Sequence, residues 1–246
     1  MKKQLPVLVF LILFSVGSFA QTGEGGNWGG GVDDDPVHFG FTFQYIASEY
    51  KVYKKRDWQT PKAKEDGSFK EPLQSISSSV SPGFGLGFVS DFRLGDNANL
   101  RFTPTLVFTD RVLNYTYPTE EAIQKKLPGN MVEFPLGIKL KSNRRLNFRA
   151  YLLAGGKYSM DIVSKKKTDD ANLLLEEKFV KNNKSTVSYD IGIGFDFYFE
   201  YFKLSPEIKL SNSLGSVLNT KDAPNPFTSP LDKLFVRNFQ FSLFFE

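Results

Sequence analysis

From Val37 onward the chain alternates large apolar residues with polar or small ones, and the sharpest segment is Thr186 to Phe199, TVSYDIGIGFDFYF. Val187, Tyr189, Ile191, Ile193, Phe195, Phe197 and Phe199 share one parity. Ser188, Asp190, Gly192, Gly194 and Asp196 share the other, with Tyr198 as the exception. Successive side chains of a strand point to opposite faces, so this is a strand with one greasy face and one polar or empty face. Its 14 residues exceed the roughly five or six usual in soluble sheets. A soluble sandwich buries the large face. A transmembrane barrel turns it to lipid and points small or charged groups into the lumen.

Seven further segments repeat the pattern. The first, Val37 to Tyr53, aligns Phe39, Phe41, Phe43 and Tyr45. The second, Val80 to Phe92, sets Phe84, Leu86 and Phe88 against Gly83, Gly85 and Gly87. The third, Leu100 to about Tyr115, opposes Phe102, Leu106 and Phe108 to Arg101, Thr103 and Thr105. The fourth, Met131 to Lys141, sets Phe134, Leu136, Ile138 and Leu140 against Glu133, Gly137 and Lys139. The fifth, Leu146 to Val163, opposes Phe148, Ala150, Leu152 and Ala154 to Asn147, Arg149 and Tyr151. Thr186 to Phe199 is sixth. The seventh, Phe202 to Leu210, opposes Leu204, Ile208 and Leu210 to Lys203, Glu207 and Lys209. The eighth aligns Phe239, Phe241, Leu243 and Phe245 against Asn238, Gln240 and Ser242, a C-terminal signature expected to serve barrel assembly. Glu246 displaces its final aromatic by one residue and is expected to be dispensable.

Connections after the odd segments are long (about 54–79, 116–130, 164–184 and 211–231). Those after segments two, four and six are short (93–97, 142–145 and 200–201). Long and short connections in turn are how outer-membrane barrels are strung. Charge agrees. The outward parity of segments three to seven holds no Asp, Glu, Lys or Arg, whereas the inward parity holds Arg101, Lys139, Arg149, Lys157, Lys203 and Lys209 against Glu133, Asp161, Asp190, Asp196 and Glu207. A charge at the lipid midplane costs about 2–4 kcal/mol, which accounts for the partition. The expectation is an all-β, eight-stranded antiparallel up-and-down transmembrane barrel over 37–246. Eight strands enclose room for side chains rather than a channel, so the inward charges are expected to pair as a packed core. Pro82, Pro104, Pro135 and Pro206 interrupt the pattern. A closed barrel has no edge to hide a missing donor, so bulges or strand ends are expected there.

Residues 1–20 read as a secretory signal: Lys2 and Lys3, an apolar run from Leu5 to Val16, and Ser18-Phe19-Ala20 before Gln21, with cleavage expected after Ala20. The apolar run is too short for a membrane-spanning helix. Residues 21–36, QTGEGGNWGGGVDDDP, read as a flexible leader. Export and barrel together place the chain in the outer membrane, with membrane lipid and the barrel-assembly machinery as partners. The formal net charge of +4 falls to +2 without Lys2 and Lys3, and no basic face forms, which argues against nucleic acid. The absence of cysteine excludes disulfides and thiol chemistry.

No enzyme, cofactor or metal is expected. Gly83-Phe84-Gly85-Leu86-Gly87 mimics a nucleotide loop, but no helix or phosphate-binding lysine follows. His38, the only histidine, falls at the periplasmic start of the first strand, away from the outer rim. Asp169-Asp170 and Glu176-Glu177 lack calcium-loop spacing. Leu173-Leu174-Leu175 beside them reads as an apolar run packed on the barrel mouth, or as a docking point for a partner.

Six blocks resemble the PorT family of outer-membrane barrels: SPGFGLGFVSDFRLG (81–95), LRFTPTLVFTDRVL (100–113), MVEFPLGIKLKS (131–142), RAYLLAGGKYSMDI (149–162), YDIGIGFDFYFEYFKLSPEIKLS (189–211) and SPLDKLFVRNFQFSLFFE (229–246). The resemblance implies an eight-stranded barrel with a non-enzymatic accessory part in type IX secretion and gliding motility, among other envelope proteins of that system. It transfers no catalytic residues. A general small barrel with an adhesion or envelope-stabilising role is the other reading that the alternation allows.

Overall fold

The computed structural model describes residues 33, 35–61, 71–119, 121–162, 180–219 and 225–246. The expected signal sequence, nearly all of the expected leader, and the segment with Lys165 to Lys167, Asp169, Asp170, Leu173 to Leu175, Glu176 and Glu177 lie outside the described residues.

The strands are β1 (Val37–Lys54), β2 (Ser75–Ser79), β3 (Ser81–Gly95), β4 (Ala98–Phe102), β5 (Thr105–Thr116), β6 (Ile123–Lys141), β7 (Phe148–Asp161), β8 (Ser185–Tyr198), β9 (Lys203–Ser213) and β10 (Leu231–Phe245). All pairings are antiparallel, and β1 pairs with β10 on one side and β3 on the other, which closes the sheet. β2 with β3 makes one strand and β4 with β5 another, so the ten segments form a ring of eight strands, the all-β up-and-down barrel that the alternation predicts. The seam is well fastened. Phe41 sits opposite Phe245 on β10 and Phe88 on β3, and the Phe41 and Phe245 rings stack at 5.1 Å.

Each of the four prolines that interrupt the alternation falls where the ladder is irregular. Between the pairs Ser79↔Val112 and Gly83↔Thr109, the β2–β3 strand carries one residue more than β5, a bulge that contains Pro82. Pro104 lies in the break between β4 and β5. Pro135 borders the same break from β6, its carbonyl accepting the Thr103 N–H at 3.1 Å. Pro206 sits where the β8–β9 pairing lapses between Gly194↔Glu207 and Phe197↔Leu204. The missing donors are thus placed where no ladder bond is due.

Several boundaries differ from those expected from the pattern. The second strand begins at Ser75 rather than Val80, and β6 begins at Ile123 rather than Met131. Much of what reads as long outer loops is strand. The cause is an inversion of polarity. Within the lipid belt, Phe39, Phe88, Leu136, Ile193 and Phe241 point outward and are exposed, while polar groups are buried. Beyond Ile46, Thr109, Met131 and Asn238 the strands rise out of the membrane. Their outer face becomes Glu49, Lys51, Asp110, Lys126 and Arg237, and their inner face becomes Tyr50, Leu113, Tyr115, Leu127 and Leu234. Water replaces lipid outside, so the apolar side turns inward as in any soluble sheet. There it forms one core with Leu73, Ile76, Tyr117, Val180, Val217, Leu218, Phe227, Leu231 and Val236.

Candidate functional site

The barrel interior is built in tiers, from the periplasmic floor to the outer apolar core. At the floor, Tyr198, the one aromatic on the otherwise polar or small inward parity of β8, is buried. It donates a hydrogen bond to Asp33 Oδ2 at 2.6 Å. Arg149 Nη1 approaches the same oxygen at 3.3 Å and Arg144 Nη1 at 3.9 Å. Asp33 belongs to the stretch expected to be a flexible leader, yet it is seated in the barrel mouth. Burial alone would raise its pKa. The Tyr198 hydrogen bond and the charges of Arg149, Lys203 and Lys141 outweigh that and hold it below the ordinary value.

Above the floor lies the densest cluster. Asp91 accepts a two-pronged contact from Arg101, Nε to Oδ1 at 2.9 Å and Nη2 to Oδ2 at 2.8 Å. Arg101 also reaches Glu246 Oε1 at 2.8 Å and Glu207 Oε2 at 3.5 Å, and its guanidinium lies 4.5 Å from the centre of the Phe244 ring. Tyr151 donates to Glu207 Oε2 at 3.0 Å. Lys139 donates to Asp196 Oδ1 at 2.9 Å, and Ser205 donates to the same oxygen at 2.6 Å. Lys203 pairs with Glu246, while His38 Nε2 lies 2.8 Å from Glu246 Oε2 and 3.0 Å from Lys203 Nζ. The middle tier holds Lys157 with Glu133 at 2.9 Å, Ser159 donating to Glu133 at 3.2 Å, and Lys209 with Asp190 at 3.7 Å. Higher still, buried Arg111 donates to Ser48 Oγ at 3.0 Å and faces Met131.

Of the residues that the pattern places inward, Arg101, Glu133, Lys139, Lys157, Asp190, Asp196, Lys203, Glu207 and Lys209 are buried in these tiers. Arg149 and Asp161 are half-buried at the floor and at the outer mouth respectively. The pairing also draws in Asp91, His38 and Glu246, which lie outside segments three to seven. Parity could have found all three. Asp91 continues the phase of Gly83, Gly85 and Gly87; His38 shares that of Thr42 and Gln44; Glu246 shares that of Gln240 and Ser242. Glu246 is therefore no appendage: its side chain is fully buried between β1, β4 and β9. Phe239, Phe241, Leu243 and Phe245 line the outer face of β10 opposite it.

Glycine makes room for this filling. A Cβ at Gly194 would collide with the Tyr151 ring and lie 2.9 Å from the Pro206 carbonyl. At Gly87, one would stand 2.6 Å from the Pro104 carbonyl. The glycine run in β3 thus serves close strand approach at the β4–β5 break.

Among the described residues, two small cavities lie in the interior. One of about 20 Å³ is bordered by Arg111, Glu133, Lys157 and Asn238, and one of about 10 Å³ by Arg101, Glu207, Lys209 and Phe244. A single water needs about 10–15 Å³, so each has space for little more than one. Ligand atoms of His38, Asp91 and Glu246 come within 4.8 Å of one another, the geometry of a metal site. Arg101 and Lys203 already occupy both carboxylates, so the cluster is neutralised by side chains and suits ion pairing better than a cation.

A closed antiparallel ring, an apolar outer belt and a charged, filled lumen define a small outer-membrane β-barrel. The chain belongs to the outer membrane protein beta-barrel domain family, whose model matches residues 19–219. Its membrane is therefore the outer membrane, and lipid surrounds the belt. Solved structures similar to it include the outer membrane protein OprG from Pseudomonas aeruginosa, at 13% identity over 85% of this chain and 92% of that one, with a TM-score of 0.41. Ail, the attachment invasion locus protein of Yersinia pestis, solved with the heparin analogue sucrose octasulfate, is 13% identical over 86% and 99%, with a TM-score of 0.37. The N-terminal β-barrel domain of Pseudomonas aeruginosa OprF is 10% identical over 83% and 96%, with a TM-score of 0.30. No curated protein matches the chain.

Proposed function

We propose that this barrel is a non-enzymatic accessory component of type IX protein secretion and gliding motility, acting through contacts with other envelope proteins at its two ends. The observation that carries a contact role is the filled interior. Ion pairs occupy the lower lumen and an apolar core occupies the upper, leaving cavities with space for about one water each. A barrel filled in this way would work through its rims. The secretion role rests on the six blocks that resemble the PorT family, which fall between residues 81 and 246. A second reading, adhesion or envelope stabilisation, is favoured by the strands that rise beyond the lipid belt, since their apolar core makes them a rigid surface platform.

Deletion of the protein separates the two readings. The secretion reading expects type IX cargo to be retained in the cell envelope while entry of small antibiotics stays unchanged. His38→Ala should restore export, and charge reversal at Arg93 with Asp96, or at Arg144 with Arg145, should lose export at normal barrel levels. Intact cargo secretion with weakened attachment or envelope integrity supports the second reading instead.

A further inference from the structure

At the periplasmic floor, cations of the barrel meet a carboxylate that comes from outside its strands. Arg149 stands opposite Asp196 across the β7–β8 ladder, but Asp196 is committed to Lys139 and Ser205. Arg149 instead meets Asp33, from outside the barrel wall. Arg144 is held in place for the same task. Its Nε donates to the Leu146 carbonyl at 2.7 Å and its Nη2 to Asn147 Oδ1 at 3.2 Å, and its guanidinium lies 3.7 Å from the centre of the Tyr198 ring. Leu146 presents that carbonyl from a left-handed backbone, φ 54°. This conformation is unfavourable for a leucine and is kept where surrounding structure enforces it. Two guanidiniums and a phenol thus converge on one point, the donor set of a carboxylate site.

Asp33 fills that site incompletely. All three contacts go to Oδ2; among the described residues Oδ1 is buried without a hydrogen-bond partner, as is Nε of Arg149, and Nη1 meets Oδ2 as an ion pair at 3.3 Å without a hydrogen bond. An occupant that leaves donors and an acceptor unused is open to exchange. Asp33 is also the first of three consecutive aspartates, Asp33-Asp34-Asp35, and lies four positions before β1 begins. Its effective concentration at the floor is therefore high.

We propose that the periplasmic mouth is a binding site for acidic peptide segments, built from Arg144, Arg149 and Tyr198 and occupied at rest by Asp33 of the chain's own arm. The arm competes in cis with any aspartate-rich segment offered from the periplasm. This inference does not depend on which export or envelope role the barrel serves.

The test uses the full mature chain in lipid nanodiscs and a fluorescein-labelled peptide GGVDDDP, followed by anisotropy at low salt. Asp33→Asn removes the resident ligand and should tighten peptide binding at least about tenfold over the unmodified chain. Adding Arg149→Gln, or separately Arg144→Gln, to Asp33→Asn should abolish that gain, and the neutral peptide GGVNNNP should bind to none of these proteins. Heat-shifted gel mobility establishes that each variant is a folded barrel. Equal binding by the unmodified and Asp33→Asn chains would overturn the proposal. So would undiminished binding after both arginine changes, or equal binding of the neutral peptide.

Discussion

Replacing Glu133 with Ala leaves Lys157 buried without its carboxylate. The two charges are 2.9 Å apart and almost wholly out of water, with side chains 3% and 1% exposed. At an effective dielectric of about 20, unit charges at that distance attract by about 6 kcal/mol. Part returns through relaxation and through Asp190, whose charge also acts on Lys157. The expected net loss is about 3–5 kcal/mol, the range for breaking one side of a buried pair. Asp110 is the internal control. It meets Lys126 at 2.7 Å above the lipid belt, but the side chains are 38% and 65% exposed. Solvent screening reduces that pair to about 0–1 kcal/mol. Distance alone predicts similar effects; burial predicts a gap of several kcal/mol. Urea unfolding in lipid vesicles, read by tryptophan fluorescence and by gel mobility without boiling, measures both variants. Glu133→Ala within about 1 kcal/mol of Asp110→Ala would show that water reaches the middle tier and would refute the dry-lumen reasoning.

Glu246→Ala should also cost about 3–5 kcal/mol on the same titration, because Arg101, Lys203 and His38 share that carboxylate; an unchanged curve would return Glu246 to the dispensable role that its position suggests. Ile193→Lys, on the lipid-facing parity of β8, should cost about 2–4 kcal/mol, whereas Asn130→Lys at the outer edge of the belt should cost about 0–1. Equal costs would mean that the belt is misplaced. Asp33 docking should be pH-dependent. Burial raises the carboxyl pKa, but Tyr198 and Arg149 lower it further, so the docked value lies below the ordinary 3.8. The undocked arm then takes up its proton first as pH falls, so docking is complete above about pH 4–5 and weakens as pH drops through the docked pKa. A spin label on Pro36→Cys should gain mobility only at the acid end, and mobility independent of pH would contradict the assignment.

The lipid-facing pattern was legible in the chain because hydrocarbon tolerates no charge. Ile193 and Leu136 could face nowhere else. The inward set was legible by parity, and Asp91, His38 and Glu246 obeyed it even though they lie outside the segments where the charge partition is cleanest. Partner choice was not legible. Arg149 and Asp196 are direct cross-strand neighbours, yet Asp196 pairs with Lys139 of β6 and Arg149 with Asp33; parity fixes the face that a side chain takes, not its partner there. The outer extension escaped the pattern for another reason. Residues 123–130, IQKKLPGN, put Gln124 and Lys126 outside and Leu127 inside, so a strand that leaves lipid for water reverses its polarity and reads as loop. Asp33 carried no periodicity at all, and only the fold brings it beneath Arg149.

The central claim is that the lumen is filled and that the barrel works by contact. Single-barrel conductance in planar bilayers tests this most directly, with insertion verified by gel mobility of the recovered protein. Ion pairs across the lower lumen and the apolar core above predict no steady current beyond membrane leak, including after Asp33→Asn opens the floor. A stable, voltage-proportional current from the unmodified barrel would contradict it.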